Sequence, residues 1–505
     1  MINSDVGNSD VGNSDVGNSD VSINDVGSDD VGNDVGHVER LIARTLGISE
    51  DRVTEGLEYQ SIREWDSLGH VSLMVAVEGE YGVEVDDELI LTLRSVAAIR
   101  EFVAGHALAG DGAVTPAPER PGPVTAPLRD TPHRGLEGVV FDDTAITHID
   151  GAEGVLEYRG YSIHDLADHA SFEEVAHLLV YGELPDVASL EVFRKQLATA
   201  RTLPAPVLDL IRALAHAHPM EVLRTCVSAL GAFGPRRTPG TDESYVEARA
   251  AGIELIARIP MIVAAHHALR SGREPLQPAE DASHAEAFLT VLLGERPSPA
   301  AVRFIDKGFI VHADHSSNAS AFTARVAIGC RAGMTAALTA AVAAFAGSVH
   351  GGAAERVVGL IDDVGSAENA EAHVAALQGR GEPVMGFGHR VYRTEDPRVR
   401  HLRDTVVELS EERGDRRGLD ILDAVARAMR PYGRHGVAAN VDLYAGLAYR
   451  LLGLPDDLAV PLFVVGRTPG WVAQALEQQA NNVLIRPLLA YTGPHGRTYR
   501  NVEER

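Results

Sequence analysis

A chain of 505 residues is too long for one ordinary compact core, so we expect two folded units and some sequence outside them. Its formal net charge of −27 disfavours nucleic acid and anionic membranes as partners. The two cysteines, Cys226 and Cys330, provide neither a disulfide framework nor a tetrathiolate metal site. We see no secretory signal and expect a cytoplasmic protein.

Residues 1–36 repeat the motif Asn-Ser-Asp-Val-Gly with small variations. A period of five fits neither a helix nor an alternating strand, and this composition offers too little apolar surface to offset the entropy lost on ordering. The repeat therefore predicts a disordered acidic tail. A calcium-binding repeat is the alternative, but repeats of that kind are Gly-rich nonapeptides.

Residues 37–106 have the pattern of a small helical domain. A serine, Ser67, stands where the second predicted helix begins, and a serine there ordinarily acts as an N-cap. Residues 1–110 carry 22 acidic and 6 basic side chains, so this part of the chain is strongly acidic. Apolar residues at helical spacing open and close the segment, at Val38, Leu41, Ile42 and Leu46 and again at Leu93, Val96, Ile99 and Phe102.

The acidic unit, its closing apolar pattern and the string Asp66-Ser67-Leu68 together resemble an acyl carrier protein. The resemblance implies a four-helix bundle with 4′-phosphopantetheine on Ser67. It also implies a phosphopantetheinyl transferase and acyl-loading enzymes as partners, which would meet the acidic second helix through basic patches.

Residues 107–127 contain five prolines and predict an extended linker. At about 3.1 Å per residue such a linker reaches up to roughly 60 Å. That reach would let a tethered carrier approach a cleft on its own chain or on a neighbour.

From residue 128 onwards most predicted elements are helices. Alternation around residues 150–154 predicts a small hairpin. A capping box at Ser171–Glu174 begins a helix that Gly182 ends. The weakly polar run from Val326 to Gly347 predicts one buried helix with small side chains.

The segment from Gly386 to Arg398 combines the residues of an anion site. Its two glycines let the backbone approach a ligand, His389 follows at once, and Arg393 and Arg398 add positive charge. A solvated loop that happens to contain these residues is the alternative. The same string resembles the citrate synthase signature Gly-x-Gly-His-x-Val-x-Arg-x-x-Asp-Pro-Arg.

Further strings that resemble this family follow in family order across about 375 residues, including Val311-His-Ala-Asp-His-Ser-Ser-Asn-Ala-Ser, Asn440-Val-Asp-Leu-Tyr-Ala-Gly, Gly466-Arg-Thr-Pro-Gly-Trp and Leu484-Ile-Arg-Pro. The resemblance implies a mostly all-α, two-domain fold over residues 128–505. The smaller domain would span about 352–453, and the enzyme would work as a homodimer.

The resemblance also assigns roles in a condensation of an acyl thioester, such as acetyl-coenzyme A, with oxaloacetate, followed by hydrolysis to citrate and free thiol. Asp442 would be the base, His350 would stabilise the enol, and His389 would polarise the ketone. Arg393 would meet coenzyme A phosphate. The ligands of the oxo acid would be His315, Arg398, Arg467 and Arg486, the last reaching across from a second subunit. No metal ligand set is implied, and His312 is interpreted as structural.

The loop around His350 departs from the family pattern. Where the family often reads Gly-Pro-Leu-His-Gly-Gly-Ala-Asn, this chain has Ser348, Val349 and Ala354. The acyl group therefore stays open, and so does the oxo acid: a 2-methylcitrate or homocitrate-like product is an alternative. In a different class of function, the segment would be an inactive scaffold for the carrier.

Overall fold

The computed structural model describes residues 35–59, 61–62, 64–65, 67–83, 85, 89, 92–107, 134–136, 139–234, 242–351, 354–380, 382–389, 391–433 and 437–505. The predicted tail lies outside these residues except for Val35 and Gly36, which already belong to the first helix. The predicted linker also lies outside them, apart from Ala107. Contacts divide the chain into two compact units, Met1–Leu128 and Arg129–Arg505.

The first unit contains the helices α1 (Val35–Leu46), α2 (Ser67–Tyr81) and α3 (Val96–Ala107). Its core includes the predicted apolar residues of α1, which are all buried, together with Leu73, Val77 and Ile99. Trp65 is fully buried and donates its indole N–H to Nδ1 of His70 over 3.1 Å. A fourth helix would fall between residues 82 and 95, of which the structure describes only part.

The second unit is helical apart from a small sheet. Its helices are α4 (Ile163–His169), α5 (Phe172–Tyr181), α6 (Val187–Ala200), α7 (Ala205–Ala213), α8 (Pro219–Phe233), α9 (Tyr245–Arg270), α10 (His284–Leu293), α11 (Pro299–His312), α12 (Ala319–Gly329), α13 (Met334–Phe345), α14 (Ala354–Val364), α15 (Ala370–Gly379), α16 (Val399–Arg413), α17 (Arg417–Gly433), α18 (Asp442–Leu451) and α19 (Ala459–Ala480).

The hairpin forms where the alternation predicts it. Strands β1 (Thr147–Asp150), β2 (Val155–Tyr158) and β3 (Tyr161–Ser162) pair antiparallel in that order. The turn between β1 and β2 supports the loop that follows His389, because the amide of Arg393 donates to the Gly151 carbonyl over 2.7 Å.

Two long helices, α9 and α19, form the centre of the core. Both are buried along most of their length and pack against each other, Gly252 of α9 lying against Val472 of α19. The shorter α5 begins with the predicted capping box and ends at Gly182, whose φ is 92°. Among the residues that the structure describes, no helix combines the length and apolarity needed to cross a membrane.

The single helix predicted from Val326 to Gly347 is wrong. The chain forms α12 and α13 instead, with a turn between them in which Arg331 and Gly333 have φ values of 59° and 85°. At the end of α12, a Cβ on Gly329 would lie 2.9 Å from the carbonyl oxygen of Val483. The chain beyond α19 therefore passes close to the end of α12, and Gly329 and Gly333 flank the break in the sequence.

Candidate active site

Two loop segments, one ending in His389 and the other leading to Asp442, are joined by hydrogen bonds. The Gly388 amide donates to the carbonyl of residue 438 over 2.8 Å, and the Asn440 amide donates to the Gly386 carbonyl over 2.9 Å. The side chain of Asn440 donates to the Gly388 carbonyl over 2.9 Å and accepts from the amide of Asp442 over 3.1 Å. The pairing fixes His389 and Asp442 relative to each other.

Glycine is required at the start of the first loop segment. Gly386 has a φ of 83°, in the left-handed region that other residues avoid. A Cβ there would also lie 2.7 Å from Cδ1 of Leu443, which directly follows Asp442. The loop can therefore come this close to the start of α18 only with glycine.

Hydrogen bonds define the tautomer of His389, and burial keeps its ring neutral. Its Nδ1 accepts from the amides of Val391 and Tyr392 over 3.0 and 3.1 Å, so the ring proton is on Nε2. Burial, aided by the positive charge of Arg398, lowers the pKa of His389 to about 4. At neutral pH this side chain is thus an uncharged hydrogen-bond donor, which is suited to polarising a ketone oxygen.

His350 lies in the turn after α13, where hydrogen bonds hold its Nε2 rather than its Nδ1. Its Nε2 lies 3.3 Å from the Ser320 amide, which donates to it, and 2.8 Å from the Ser320 hydroxyl. The same hydroxyl accepts from the indole N–H of Trp471 over 3.1 Å. Burial and, to a smaller extent, Arg467 lower the pKa of His350 to about 4. The neutral ring therefore keeps its proton on Nδ1, where it can donate to an enol oxygen.

Asp442 is the first residue of α18. Burial raises its pKa to about 6, although the charges of Arg398 and Arg467 oppose the shift. A carboxylate with this pKa is ionised at neutral pH and is a stronger base than an exposed aspartate.

Two buried arginines flank these groups. Arg398 forms a bidentate pair with Asp396, over 2.8 Å from Nε and 2.6 Å from Nη2. Arg467 of α19 donates from Nε to the carbonyl of His312 over 2.5 Å. Burial lowers the pKa of Arg467 to about 10, which leaves it charged at neutral pH. Together, Arg398 and Arg467 can bind a substrate that carries more than one carboxylate.

His315 lies next to His389, just beyond the end of α11. Its Nε2 is 3.2 Å from the hydroxyl of Tyr392, and its ring centroid is 5.3 Å from that of His389. Burial, together with the charges of Arg398 and Arg467, lowers the pKa of His315 well below the usual range. The ring is therefore a neutral polar ligand.

A buried carboxyl fixes the turn that carries His315. Oδ2 of Asp314 accepts hydrogen bonds from the Thr147 hydroxyl, the Ser316 amide and the Gln474 side chain over 2.6, 3.0 and 3.1 Å. These contacts tie the end of α11 to β1 and α19.

The charges of Arg398 and Arg467 contribute to the pKa shifts of the same side chains, as expected if the predicted residues lie close together. The charge of Arg398 acts on the pKa values of His389, His315 and Asp442. The charge of Arg467 acts on His315, Asp442 and also His350. From the sequence we overlooked the residues that hold this cluster in place, Ser320, Tyr392, Asp396 and Trp471, although all four lie inside the strings that carry the resemblance.

Three other predicted residues lie outside this cluster. Arg486 is exposed in the extended segment after α19, and Arg393 is exposed on its loop. Ser67 is the first residue of α2, and its side chain lies outside the description. His312 is buried, with Nδ1 2.7 Å from the Gly308 carbonyl, in line with a structural role. In the part of the chain that the structure describes, no group of three or more His, Cys, Asp or Glu side chains could hold a metal ion.

The cluster thus combines a buried carboxylate, two neutral imidazoles and two buried arginines, groups that suit the formation of a carbon–carbon bond to a carboxylate-bearing ketone. The sequence profile described as "Citrate synthase, C-terminal domain" matches residues 135–488. The chain therefore belongs to the citrate synthase family, whose members are acyltransferases.

Individual relatives agree with this assignment. "Citrate synthase 2" of Bacillus subtilis is 40% identical over 74% of this chain and 100% of its own length. "2-methylcitrate synthase 1" of Corynebacterium glutamicum is 38% identical over 74% of this chain and 98% of its own. The structure resembles the citrate synthase of Thermoplasma acidophilum, solved as a ternary complex with carboxymethyl coenzyme A and oxaloacetate. That likeness has a TM-score of 0.68 and 29% identity, and covers 75% of this chain and 100% of the other.

Proposed function

We propose that this enzyme condenses acetyl-coenzyme A with oxaloacetate and hydrolyses the product thioester to citrate and free thiol, as a citrate (Si)-synthase does. The observation that carries the proposal is Asp442, a buried carboxylate with a pKa raised to about 6, among two neutral histidines and two buried arginines.

In the first step Asp442 removes a proton from the carbon next to the thioester carbonyl. The Nδ1–H of His350 donates to the carbonyl oxygen as it becomes an enol oxygen. Because His350 is neutral, it stabilises this oxygen as a hydrogen-bond donor, and such preorganised donation contributes strongly to the rate.

In the second step the enol carbon attacks the ketone carbon of oxaloacetate. The Nε2–H of His389 donates to the ketone oxygen and gives it a proton as the alkoxide forms. Arg398, Arg467 and His315 hold the two carboxylates, which keeps the ketone carbon in line for attack. Water then adds to the citryl thioester, and the thiol leaves with a proton, which makes the sequence effectively irreversible.

The remaining contacts would come from residues that are exposed in the single chain. Arg393 would meet a phosphate of coenzyme A, and Arg486 of a second subunit would bind the oxo acid, so the working unit would be a homodimer. The segment around Arg486 exposes large apolar side chains, Leu488 at 77% and Leu489 at 93%, which supports burial against another copy. Residues 352–453 would act as the smaller domain.

The N-terminal unit would be an acyl carrier. Its buried apolar core, its acidic sequence and the position of Ser67 at the start of α2 support this reading. Ser67 would receive 4′-phosphopantetheine from a transferase and an acyl group from a loading enzyme in the cytoplasm. The linker would then bring the thioester to a synthase site.

Thiol release by Ser67→Ala, given oxaloacetate and free acetyl-coenzyme A, tests the carrier. If the carrier delivers the substrate, the variant releases no thiol, whereas wild type that carries phosphopantetheine and an acyl group does release it. Brisk release by the variant shows an ordinary citrate synthase with a dispensable carrier. Failure of wild type to take up phosphopantetheine at Ser67 removes the carrier role altogether.

A 2-methylcitrate synthase is the second candidate. The Corynebacterium relative with that name is almost as similar as the citrate synthases, and the loop before His350 exposes Val349 completely. Competition between acetyl- and propionyl-coenzyme A decides between the two, because one methylene changes specificity by only about 10–200-fold. A homocitrate-like product would require a different oxo acid, and the same assay with 2-oxoglutarate tests it. An inactive scaffold agrees poorly with a complete set of catalytic residue types.

A further inference from the structure

Tyr392 lies between two of the histidines of the site. Its ring centroid is 4.6 Å from that of His389 and 5.5 Å from that of His315, and the second pair meets edge to face. The side chain is fully buried, so its hydroxyl is closed off from solvent. Tyr392 belongs to the loop between His389 and Arg398, whereas His315 follows α11, so the contact joins two separate segments of the site.

The hydroxyl of Tyr392 has a single hydrogen-bond partner among the residues that the structure describes. It lies 3.2 Å from Nε2 of His315. Burial raises the pKa of Tyr392 above its usual range, so the hydroxyl keeps its proton at neutral pH. Burial and the charges of Arg398 and Arg467 lower the pKa of His315 well below its usual range, so the imidazole carries one ring proton. Each partner therefore has one proton, and the contact has room for only one of the two.

Only one arrangement of these protons satisfies both groups within the described part of the chain. If Nε2 of His315 carried the ring proton and donated it, the phenolic proton of Tyr392 would have no acceptor there. A buried donor without an acceptor is costly. If the hydroxyl donates to Nε2 instead, its proton is satisfied and the ring proton lies on Nδ1. The contact therefore favours the Nδ1–H tautomer of His315.

The backbone of Tyr392 acts on the second histidine. The amide of Tyr392 donates to Nδ1 of His389 over 3.1 Å, which leaves the proton of His389 on Nε2. The loop itself is held at the next residue, where the amide of Arg393 donates to the Gly151 carbonyl over 2.7 Å. Tyr392 thus favours opposite tautomers in the two rings, one through its amide and one through its hydroxyl.

We propose that Tyr392 is a positioning residue that selects the Nδ1–H tautomer of His315, so that His315 presents an N–H rather than a lone pair to a carboxylate of the oxo acid. The inference rests on the proposed function, in which His315 is a ligand of that acid. Because Tyr392 occupies Nε2, Nδ1 is the ring nitrogen that remains for the substrate. An ionised carboxylate only accepts hydrogen bonds, so it binds the N–H and is repelled by a nitrogen lone pair. A wrong tautomer therefore weakens binding of the oxo acid even when every side chain keeps its place.

Tyr392→Phe separates this role from packing, because it keeps the ring and the backbone amide and removes only the hydroxyl. Nε2 of His315 then has no donor, and the ring can place its proton on either nitrogen. We expect the KM for oxaloacetate to rise about tenfold, which corresponds to the loss of one hydrogen bond. The value of kcat should stay close to that of wild type, because the amide of the variant still fixes the tautomer of His389.

Tyr158→Phe is the matched control. Tyr158 is also fully buried, and its hydroxyl lies 3.0 Å from the carbonyl oxygen of Asp314 and 3.3 Å from that of Val311. These bonds support the turn that carries His315, but they are made to backbone and not to its ring. The control should therefore lower the Tm and leave the ring protons of His315 and the KM for oxaloacetate as in wild type.

Nuclear magnetic resonance of the full chain, with histidine labelled isotopically at its ring nitrogens, reads the tautomer directly. Protonated and unprotonated ring nitrogens differ widely in chemical shift, and the signals that disappear in His315→Gln belong to His315. Wild type and Tyr158→Phe should show a protonated Nδ1 and an unprotonated Nε2. Tyr392→Phe should show the Nε2–H form or a mixture of the two forms.

A protonated Nε2 of His315 in wild type overturns the proposal. Ring protons in Tyr392→Phe that match wild type overturn it too, and so does an equal change in Tyr158→Phe, because the hydroxyl would then only support the fold. An unchanged KM for oxaloacetate in Tyr392→Phe refutes the role in binding. The spectra need neither substrate nor turnover, so these failures can be told apart from a failure of the proposed condensation.

Discussion

The two buried arginines of the site are compensated differently. The charge of Arg398 is compensated by the buried carboxylate of Asp396, to which it donates two hydrogen bonds. Arg467 donates to a backbone carbonyl, and burial lowers its pKa to about 10. A substrate carboxylate would restore the missing negative charge beside Arg467. Binding of the oxo acid would therefore compensate the buried positive charge of Arg467.

The pH profile of kcat/KM should follow Asp442. Its carboxyl must be ionised to act as a base, so activity should fall as the pH drops through about 6. His350 and His389, with pKa values near 4, stay neutral over the same range. Thiol release measured from pH 5 to 8 checks this. The same acid limb in the residual activity of Asp442→Asn would show that another group titrates.

Asp442→Asn should stabilise the fold at pH 8. The folded-state pKa is raised, so the ionised carboxyl destabilises the folded chain above about pH 6, relative to the unfolded chain, and this cost vanishes below about pH 4. The gain in Tm should therefore be present at pH 8 and absent at pH 4. A lower Tm for the variant at pH 8 would contradict the burial of this charge.

The resemblance to the family predicted His350, His389, Asp442, His315, Arg398 and Arg467 as site residues, and the structure brings these six into one cluster. It did not lead us to Ser320 and Trp471, because the hydroxyl that orients His350 depends on a contact between α12 and α19. Taken alone, Asp442 could have been a carboxylate that interacts favourably with a helix dipole. Its raised pKa arises from burial, which depends on the complete fold.

At the scale of elements, close approach of α19 to the end of α11 brings Arg467 to the site. Glycines make this approach possible: a Cβ on Gly466 would lie 3.0 Å from Cβ of His312, and one on Gly470 would overlap the Ala313 carbonyl and lie 2.6 Å from Oδ1 of Asp314. The hairpin and the capping box were predictable because their signals are local. The break between α12 and α13 also has a local signal, the glycines at 329 and 333, which we overlooked because the whole run is weakly polar.

Gly470→Ala should destabilise the protein and reduce turnover. The added methyl group meets backbone and a buried carboxyl that cannot move aside, at a cost of about 1–3 kcal/mol. Gly359→Ala is the matched control, because Gly359 lies in α14 with nothing within 4 Å of the added Cβ, and it should stabilise by about 0.5–1 kcal/mol. Urea unfolding measures both. Equal effects would refute the close contact.

At the scale of the whole molecule, the family match begins at residue 135, so the first compact unit stands outside it. The match extends to residue 488, within the segment that exposes Arg486 and its apolar neighbours. One chain thus holds every proposed ligand of the oxo acid except Arg486 within a single cluster. We therefore expect Arg486 to come from a second copy.

Mixing two inactive variants tests this requirement. In a heterodimer of Asp442→Ala and Arg486→Ala, one site has both defects and the other has neither. Random exchange of subunits makes about half of the dimers heterodimeric, so the mixture should recover roughly a quarter of wild-type thiol release. No recovery, with exchange confirmed by mass spectrometry of the native dimers, would place Arg486 in its own chain's site or outside any site.

Asp442 is proposed as the base of a citrate-forming condensation. Its most direct test is thiol release by wild type and Asp442→Ala, given oxaloacetate with acetyl-coenzyme A and with the acylated carrier, and with citrate quantified by mass spectrometry. We expect stoichiometric citrate and thiol from wild type and a loss of about 10²–10⁴-fold in kcat for the variant, the usual contribution of a general base. Wild-type turnover that survives in Asp442→Ala, or thiol release without citrate, would contradict it.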